Sequence, residues 1–310
     1  MTQNVVIVLF ATGIALTAPI LWVALGELVT EQSGVLNIGI EGVMLFGAFA
    51  SAFAYQFLGN NLIIALFMGL AAGLICGVGL GYIYVVRGAD QIVTGILFVV
   101  FALGLTTLLG SKYGGGTVSG AFDRWPVPGL SEIPYLGDIV FNQRPMVYAA
   151  FLTVPFIFFL VYRTWFGLHA RSAAEHTGAT ESAGLSVWGL RFPAVIIGCG
   201  LGGVGGATLV LNTSGTFVPG MTDGRGFIAL AVVVLARWNP FWAAGAALLF
   251  GTAQAMQFQT RRLGILEEIP QNFWIMVPFV IVIVAVVFAR RSRYPAACGI
   301  PYKPAGMGRS

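Results

Sequence analysis

The chain has 310 residues, of which 57% are hydrophobic and 9% charged, against roughly 25% charged in an ordinary soluble domain. That balance excludes a water-soluble globular domain, and apolar stretches near the ~20 residues needed to cross a hydrocarbon core recur along almost the whole length. The net charge of +4 does not point to nucleic acid, because the basic residues stand singly between apolar runs or gather in the tail, where membrane orientation accounts for them.

No Lys or Arg precedes the first apolar run, and the run leads into a further membrane segment, so it reads as a first helix and not as a cleaved signal. Crossings are expected near residues 5–28, 39–57, 62–86, 91–109, 147–162, 190–211, 227–236, 241–257 and 273–289. These nine segments predict an all-α polytopic bundle forming one transmembrane domain over 1–310, with connecting loops at 111–145 and 163–190 and a tail at 290–310. The segment after Phe227 is too short to span, which marks a broken or re-entrant helix. Irregular backbone at that depth must be buried in protein or line a cavity.

Arg290, Arg291 and Arg293 directly follow the last crossing and place the tail in the cytoplasm. Counting back puts Arg237, the 163–190 loop and Arg87 on the same side and the 111–145 loop outside; an odd number of crossings puts the N-terminus outside. Gly69, Gly73, Gly77 and Gly81 repeat every fourth residue, a spacing that lets helices approach closely in lipid. Residues 34–49 (GVLNIGIEGVMLFGAF) and 220–235 (GMTDGRGFIALAVVVL) share one layout, a polar glycine-rich lead-in followed by an apolar helix. On this topology they approach from opposite sides, as an inverted repeat would, and such repeats place the substrate path at their interface.

An ionisable group in a membrane segment costs several kcal/mol unless paired or hydrated, so each is a functional candidate. Asn37 and Glu41 share a helix face and either line a passage or lock the fold. Asp90, ahead of Gln91 and Thr94, suits a helix N-cap at the cytoplasmic mouth, with a gate contact as the alternative. Asp223 and Arg225 fit either an outer gate or receptor contact, or an internal ion pair shaping a turn. Phe98, Phe101, Phe217 and Phe227 could offer a flat apolar surface, although most of the 24 Phe must pack helices or face lipid. Cys76, Cys199 and Cys298 lack any zinc or redox spacing, and His169 and His176 are too far apart for one helical turn, so neither metal nor cofactor is expected. No paired carboxylate or nucleophile set suggests an enzyme. No P-loop occurs, so any ATP-driven work needs another chain.

The stretches LNIGIEGVMLFGAFAS (36–51), ADQIVTGI (89–96), FALGLTTLL (101–109) and FVPGMTDGRGFIALA (217–231) together resemble the ABC permeases of nucleoside importers that use a receptor of the basic-membrane-protein type. These are related to permeases for simple sugars and branched-chain amino acids. The resemblance implies a multi-pass subunit of the bacterial cytoplasmic (inner) membrane, working with a second permease, ATP-binding subunits and an extracellular or periplasmic substrate-binding protein. It also implies that a short coupling helix in the 163–190 loop docks on the ATP-binding subunit. The match to the broader importer pattern is partial, Glu181 being followed by Ser182 and Ala183. The expected contact residues are Ala174, Glu175, Gly178, Glu181, Ala183 and Gly184. Independently of the resemblance, this is the longest polar interruption on the cytoplasmic side, and Ala173, Ala174, Ala179, Ala183 and Gly184 give it small residues that a groove could receive. Nucleosides are the cargo the resemblance implies, with simple sugars or branched-chain amino acids as alternatives. An ion-coupled secondary transporter would need its own proton or sodium site, for which Glu41 and Asp90 are too few.

The topology is testable by thiol labelling. A cysteine at Ser131 should react with an impermeant reagent in outer-permeabilised cells and one at Ser172 should not; the reverse pattern would overturn the assignment.

Overall fold

A computed structural model describes residues 2–113, 118, 120, 122–263 and 294–302, with isolated helical positions between 276 and 287. The described chain is helical: α1 Thr2–Glu31, α2 Ile40–Phe57, α3 Leu62–Gly81 running on through a π-helical turn at Tyr82–Val86, α4 Gln91–Tyr113, α5 Pro145–Arg163, α6 Trp165–Glu175, α7 Thr177–Ser182, α8 Val187–Thr208 with a second π-helical turn at Leu209–Ser214, α9 Arg225–Leu235 and α10 Pro240–Leu263. A two-residue β-ribbon, Trp125–Pro126 with Asn142–Gln143, closes the loop between α4 and α5.

Six of these helices are long and apolar enough to cross a membrane: Val5–Glu31, Ile40–Phe57, Leu62–Val86, Gln91–Tyr113, Pro145–Arg163 and Val187–Ser214. The segment after Phe227 is the short helix expected, and the one after Phe241 belongs to the 24-residue α10. The ninth expected crossing, 273–289, lies largely outside the described residues.

Small residues set the packing. α1 and α8 cross where Gly26 meets the Gly198 backbone, and Thr30 Oγ1 donates to the Gly26 carbonyl at 3.1 Å. α3 lies on α8 through the expected glycine row: Gly69 faces Ala207, Gly73 faces Cys199 and Gly203, Gly77 faces Ile196, and Gly81 faces Phe192. α2 presses Gly47 onto Gly203, and Gly206 onto Met44 and Ala48. On the other side α10 lies on α1, with Gly13 against Thr252 and Gly251 against Thr17. Backbones in such contact gain van der Waals energy that lipid cannot supply. α3 packs on α8, while α10 packs on α1.

One end of the bundle gathers Arg87, the α6–α7 region, Arg191 and Arg237, and the segment 294–302 returns across it. The opposite end carries the β-ribbon and residues 127–144. The loop expected to hold one coupling helix holds two, α6 and α7, broken at His176; Thr164 and Ser186 side chains cap α6 and α8.

Gly203→Ala places a Cβ against the Gly69 carbonyl and 2.8 Å from the Gly73 Cα, and neither backbone can rotate away. It should destabilise the protein by about 1–3 kcal/mol. Gly79→Ala meets nothing within 4 Å and should be neutral or slightly stabilising, since Ala suits a helix interior better. Thermal melts in detergent that place the two variants together would contradict this account of the glycines.

Candidate functional site

The site forms where two helices begin inside the bundle. α1 ends in a turn at Gly34, whose φ of +89° favours glycine. The chain then climbs back into the bundle along α8. On the way the Leu36 N–H donates to Gln91 Oε1 at 2.7 Å, and the Asn37 N–H donates to Glu27 Oε1 at 2.9 Å. Asn37 is fully buried; its Nδ2 donates to Cys199 Sγ at 3.3 Å, and its Oδ1 accepts from the Tyr84 hydroxyl at 3.3 Å. Every polar atom of this lead-in that faces apolar surroundings therefore needs a partner from another helix.

One turn beyond Asn37, Glu41 reaches the second lead-in. Its Oε1 accepts from the Gly224 N–H at 3.0 Å and its Oε2 from the Gly226 N–H at 2.6 Å. Both donors belong to the start of α9, where backbone N–H groups are unpaired by geometry and the helix dipole favours a negative charge. Gly224 sits at φ +77°, and a side chain at Gly226 would collide with the Glu41 backbone. Glu41 thus lies in the first turn of α2 and caps α9. Beside it the buried Arg225 folds back, Nη1 donating to the carbonyls of Met221 at 3.0 Å and Thr222 at 3.2 Å. Phe98 packs over Gly42, with its ring 5.8 Å from Phe46 and 6.3 Å from Phe101.

The structure thus brings together Asn37, Glu41, Arg225 and Phe98. Asp223 is exposed, so the pair it forms with Arg225 in sequence does not enter the bundle as one unit. Asp90 is a helix cap, its Oδ1 accepting from the Ile92 and Val93 N–H groups at 2.9 Å each. Thr94 is half-buried on the same turn, and Phe227 is exposed. Phe217 is buried in a separate cluster with Val118 and Leu211, edge-on to Phe49 at 5.3 Å. In the polar loop, Glu175, Gly178, Ala183 and Gly184 are exposed and Glu181 is half-buried. Ala174 departs from expectation. It is covered by the chain's own Gly34 and accepts a hydrogen bond from Ala297, so it offers no surface to a partner.

Sequence reasoning missed two acids. Glu27 and Glu31 lie one turn apart near the end of α1, both fully buried. Glu31 Oε2 accepts from Trp238 Nε1 at 2.6 Å, while Glu27 Oε2 has no partner among the described residues. The signal was present, because Glu27 falls inside the first expected crossing. At the opposite end a cavity of about 490 Å³ lies between α1 and the 124–144 region, lined by Arg124, Asp138, Arg144 and Asn212. Arg144 donates to the Asn212 carbonyl, and burial, then the neighbouring Arg124, lower its pKa.

Two helix starts meeting at one carboxylate inside the bundle suit a transport subunit. Residues 9–286 match the family described as branched-chain amino acid transport system, permease component. The chain belongs to that permease family. It is 35% identical over 298 residues to the guanosine ABC transporter permease NupQ of Bacillus subtilis, covering 92% of this chain and 93% of that one. It is 29% identical over 309 residues to the nucleoside ABC transporter permease NupC of Lactococcus lactis, covering 96% and 98%. A putative glucose ABC transporter permease of Haloferax volcanii is 35% identical over 253 residues, covering 79% and 75%. No solved structure matches the chain at a significant level. The permease is therefore a multi-pass membrane subunit of an ABC transporter; it is not itself an enzyme, and its family works with ATP-binding subunits and a substrate-binding protein.

Glu41→Gln leaves one acceptor for two buried N–H groups, and Glu41→Leu leaves none, at about 1–3 kcal/mol per orphaned group. Uptake and folded yield should fall in the order wild type, Gln, Leu. If both variants accumulate and transport like wild type, the carboxylate does not hold the two helices together.

Proposed function

We propose that this permease carries nucleosides inward across a bacterial cytoplasmic membrane, paired with a second permease subunit. The observation that carries the substrate class is the end-to-end likeness to guanosine and nucleoside permeases, which spans nine-tenths or more of both chains in each case. The likeness to a glucose permease covers less of each chain, and a simple sugar is the second reading.

The path runs past the junction of α2 and α9, where Asn37, Glu41, Arg225 and Phe98 stand. Inverted lead-ins that meet at depth give a fixed point about which two halves can rock. A nucleoside has no net charge, so a path needs an apolar surface for the base and a few polar groups for the ribose. Phe46, Phe98 and Phe101 offer the first next to the junction. The one acid at the junction, Glu41, is already occupied by backbone N–H groups, which leaves little free negative charge there. The substrate-binding protein docks at the end carrying residues 111–145. ATP-driven closure of the partner subunits moves α6 and α7 at the other end, through the exposed Gly178, Ala183 and Gly184.

Two measurements test this. The cognate binding protein should bind nucleosides in preference to pentoses or leucine, and preferred binding of a pentose or leucine would replace the substrate class. Ala183→Arg puts bulk and an unpaired charge at the docking contact, costing several kcal/mol there while leaving an exposed loop's fold stability within about 0.5 kcal/mol. The variant should fold but lose co-purifying ATP-binding subunit and uptake; full recovery of both would remove this loop as the docking site.

A further inference from the structure

The segment 294–302 touches parts of the chain that otherwise lie apart. The Ala297 N–H donates to the carbonyl of Ala174, in the last turn of α6, at 2.7 Å. Arg191, in the second turn of α8 and 1% exposed, donates from Nη1 to the Ile300 carbonyl at 3.3 Å, and from Nη2 to the carbonyls of Ala297 and Ala173 at 3.4 Å each. Its guanidinium lies 5.9 Å from the Tyr302 ring. Tyr302 borders the same cavity as Glu181 of α7. Gly299 lies against Leu36, the residue before Asn37, in the lead-in that ends at Glu41. Tyr294 stands edge-on to Trp238 at 5.0 Å, and Trp238 is the residue that holds Glu31 of α1. One short stretch is thus bonded or packed against α6, the start of α8 and the lead-in to the junction, reaches α1 through Trp238, and faces α7 across a cavity.

The strength of these contacts matters as much as their number. Charge-assisted hydrogen bonds normally measure about 2.7–2.9 Å, whereas all three from Arg191 are longer and its Nε has no partner among the described residues. A buried guanidinium held by three long bonds to carbonyls grips loosely. A cavity of about 310 Å³ separates α7 from this segment, bordered by Thr177, Gly178, Glu181 and Pro301, which gives α7 room to shift.

We propose that residues 294–302 are a coupling strap, with Arg191 as its positioning residue, that carries displacement of α6 and α7 to the 34–39 lead-in and so to the Glu41 junction. This rests on the reading of α6 and α7 as the element facing the ATP-binding subunit. The strap biases the lead-in through Leu36 and the α6 backbone through Ala297, so the two ends share one element with a seated and a shifted arrangement.

The strap carries its own reporter. Cys298 is buried, its Sγ 3.6 Å from the Tyr294 hydroxyl, and burial pushes its thiol pKa up, so it alkylates slowly while the strap is seated. In the assembled transporter with unaltered cysteines, the rate of Cys298 alkylation, read by peptide mass spectrometry, should change by about fivefold or more between ATP-free and ATP-bound states. Deleting residues 295–310, and separately Tyr302→Phe and Arg191→Lys, should leave ATP-binding subunits co-purifying while uptake per ATP hydrolysed falls, by about tenfold for the deletion. Equal Cys298 rates in the two states would overturn the proposal, as would unchanged uptake per ATP in all three variants. Loss of the ATP-binding subunit on deletion would make the segment part of the docking surface and not a strap. If the deletion fails to assemble, the alkylation rates in the unaltered protein decide. Failure of the docking reading shows separately, as Ala183→Arg retaining its ATP-binding subunit.

Discussion

A helix that begins inside a membrane protein exposes backbone N–H groups where no water can meet them, and this permease has two such beginnings facing each other. The Glu41 carboxylate satisfies the N–H groups of Gly224 and Gly226, and it does so where the α9 dipole favours negative charge. The bond fixes the depth of α2 against that of α9. Asn37 and its partners on α1, α3 and α8 do the same for the lead-in one turn earlier. The rest of the bundle is arranged so that these contacts can be made.

Close approach is what makes them reachable. Carboxylate to backbone bonds between elements nearly two hundred residues apart need the α2, α3 and α8 backbones almost in contact, and Gly47, Gly73, Gly203 and Gly206 supply that proximity. Backbone contacts of this kind deform little, so the displacement proposed above falls on surfaces where side chains intervene, the α6–α7 region and the returning 294–302 segment.

Much of this was legible in the sequence. The four-residue glycine repeat gave the α3 face that packs on α8, because Cβ-free positions at that spacing have few other uses in an apolar helix. The short apolar run after Phe227 gave α9, and the acid before Gln91 and Ile92 gave the α4 cap. What stayed hidden depends on contacts across long separations. Glu41 reads as an acid one turn into an apolar helix, and nothing local says that its partners are N–H groups of residues 224 and 226. Glu31 looks interfacial at the end of α1 until Trp238 arrives from the turn after α9. The burial of Ala174 could not be read from the composition of its loop, since Gly34, which covers it, and Ala297, which bonds to it, come from distant parts of the chain. Asp223 stays exposed while Arg225, two residues on, is buried, with the backbone at Asp223 and Gly224 in the left-handed region.

The α9 helix has a bearing on how the chain enters the membrane. Its 11 residues reach only about 16 Å at 1.5 Å per residue, roughly half the thickness of a hydrocarbon core. It cannot partition as an independent span, so its place in the membrane depends on the helices it packs against. During synthesis Glu41 emerges some 183 residues before its first N–H partner. Until that partner arrives the carboxylate has to be kept wet, protonated or shielded by the insertion machinery, which makes the last third of the chain the step at which the first third becomes native.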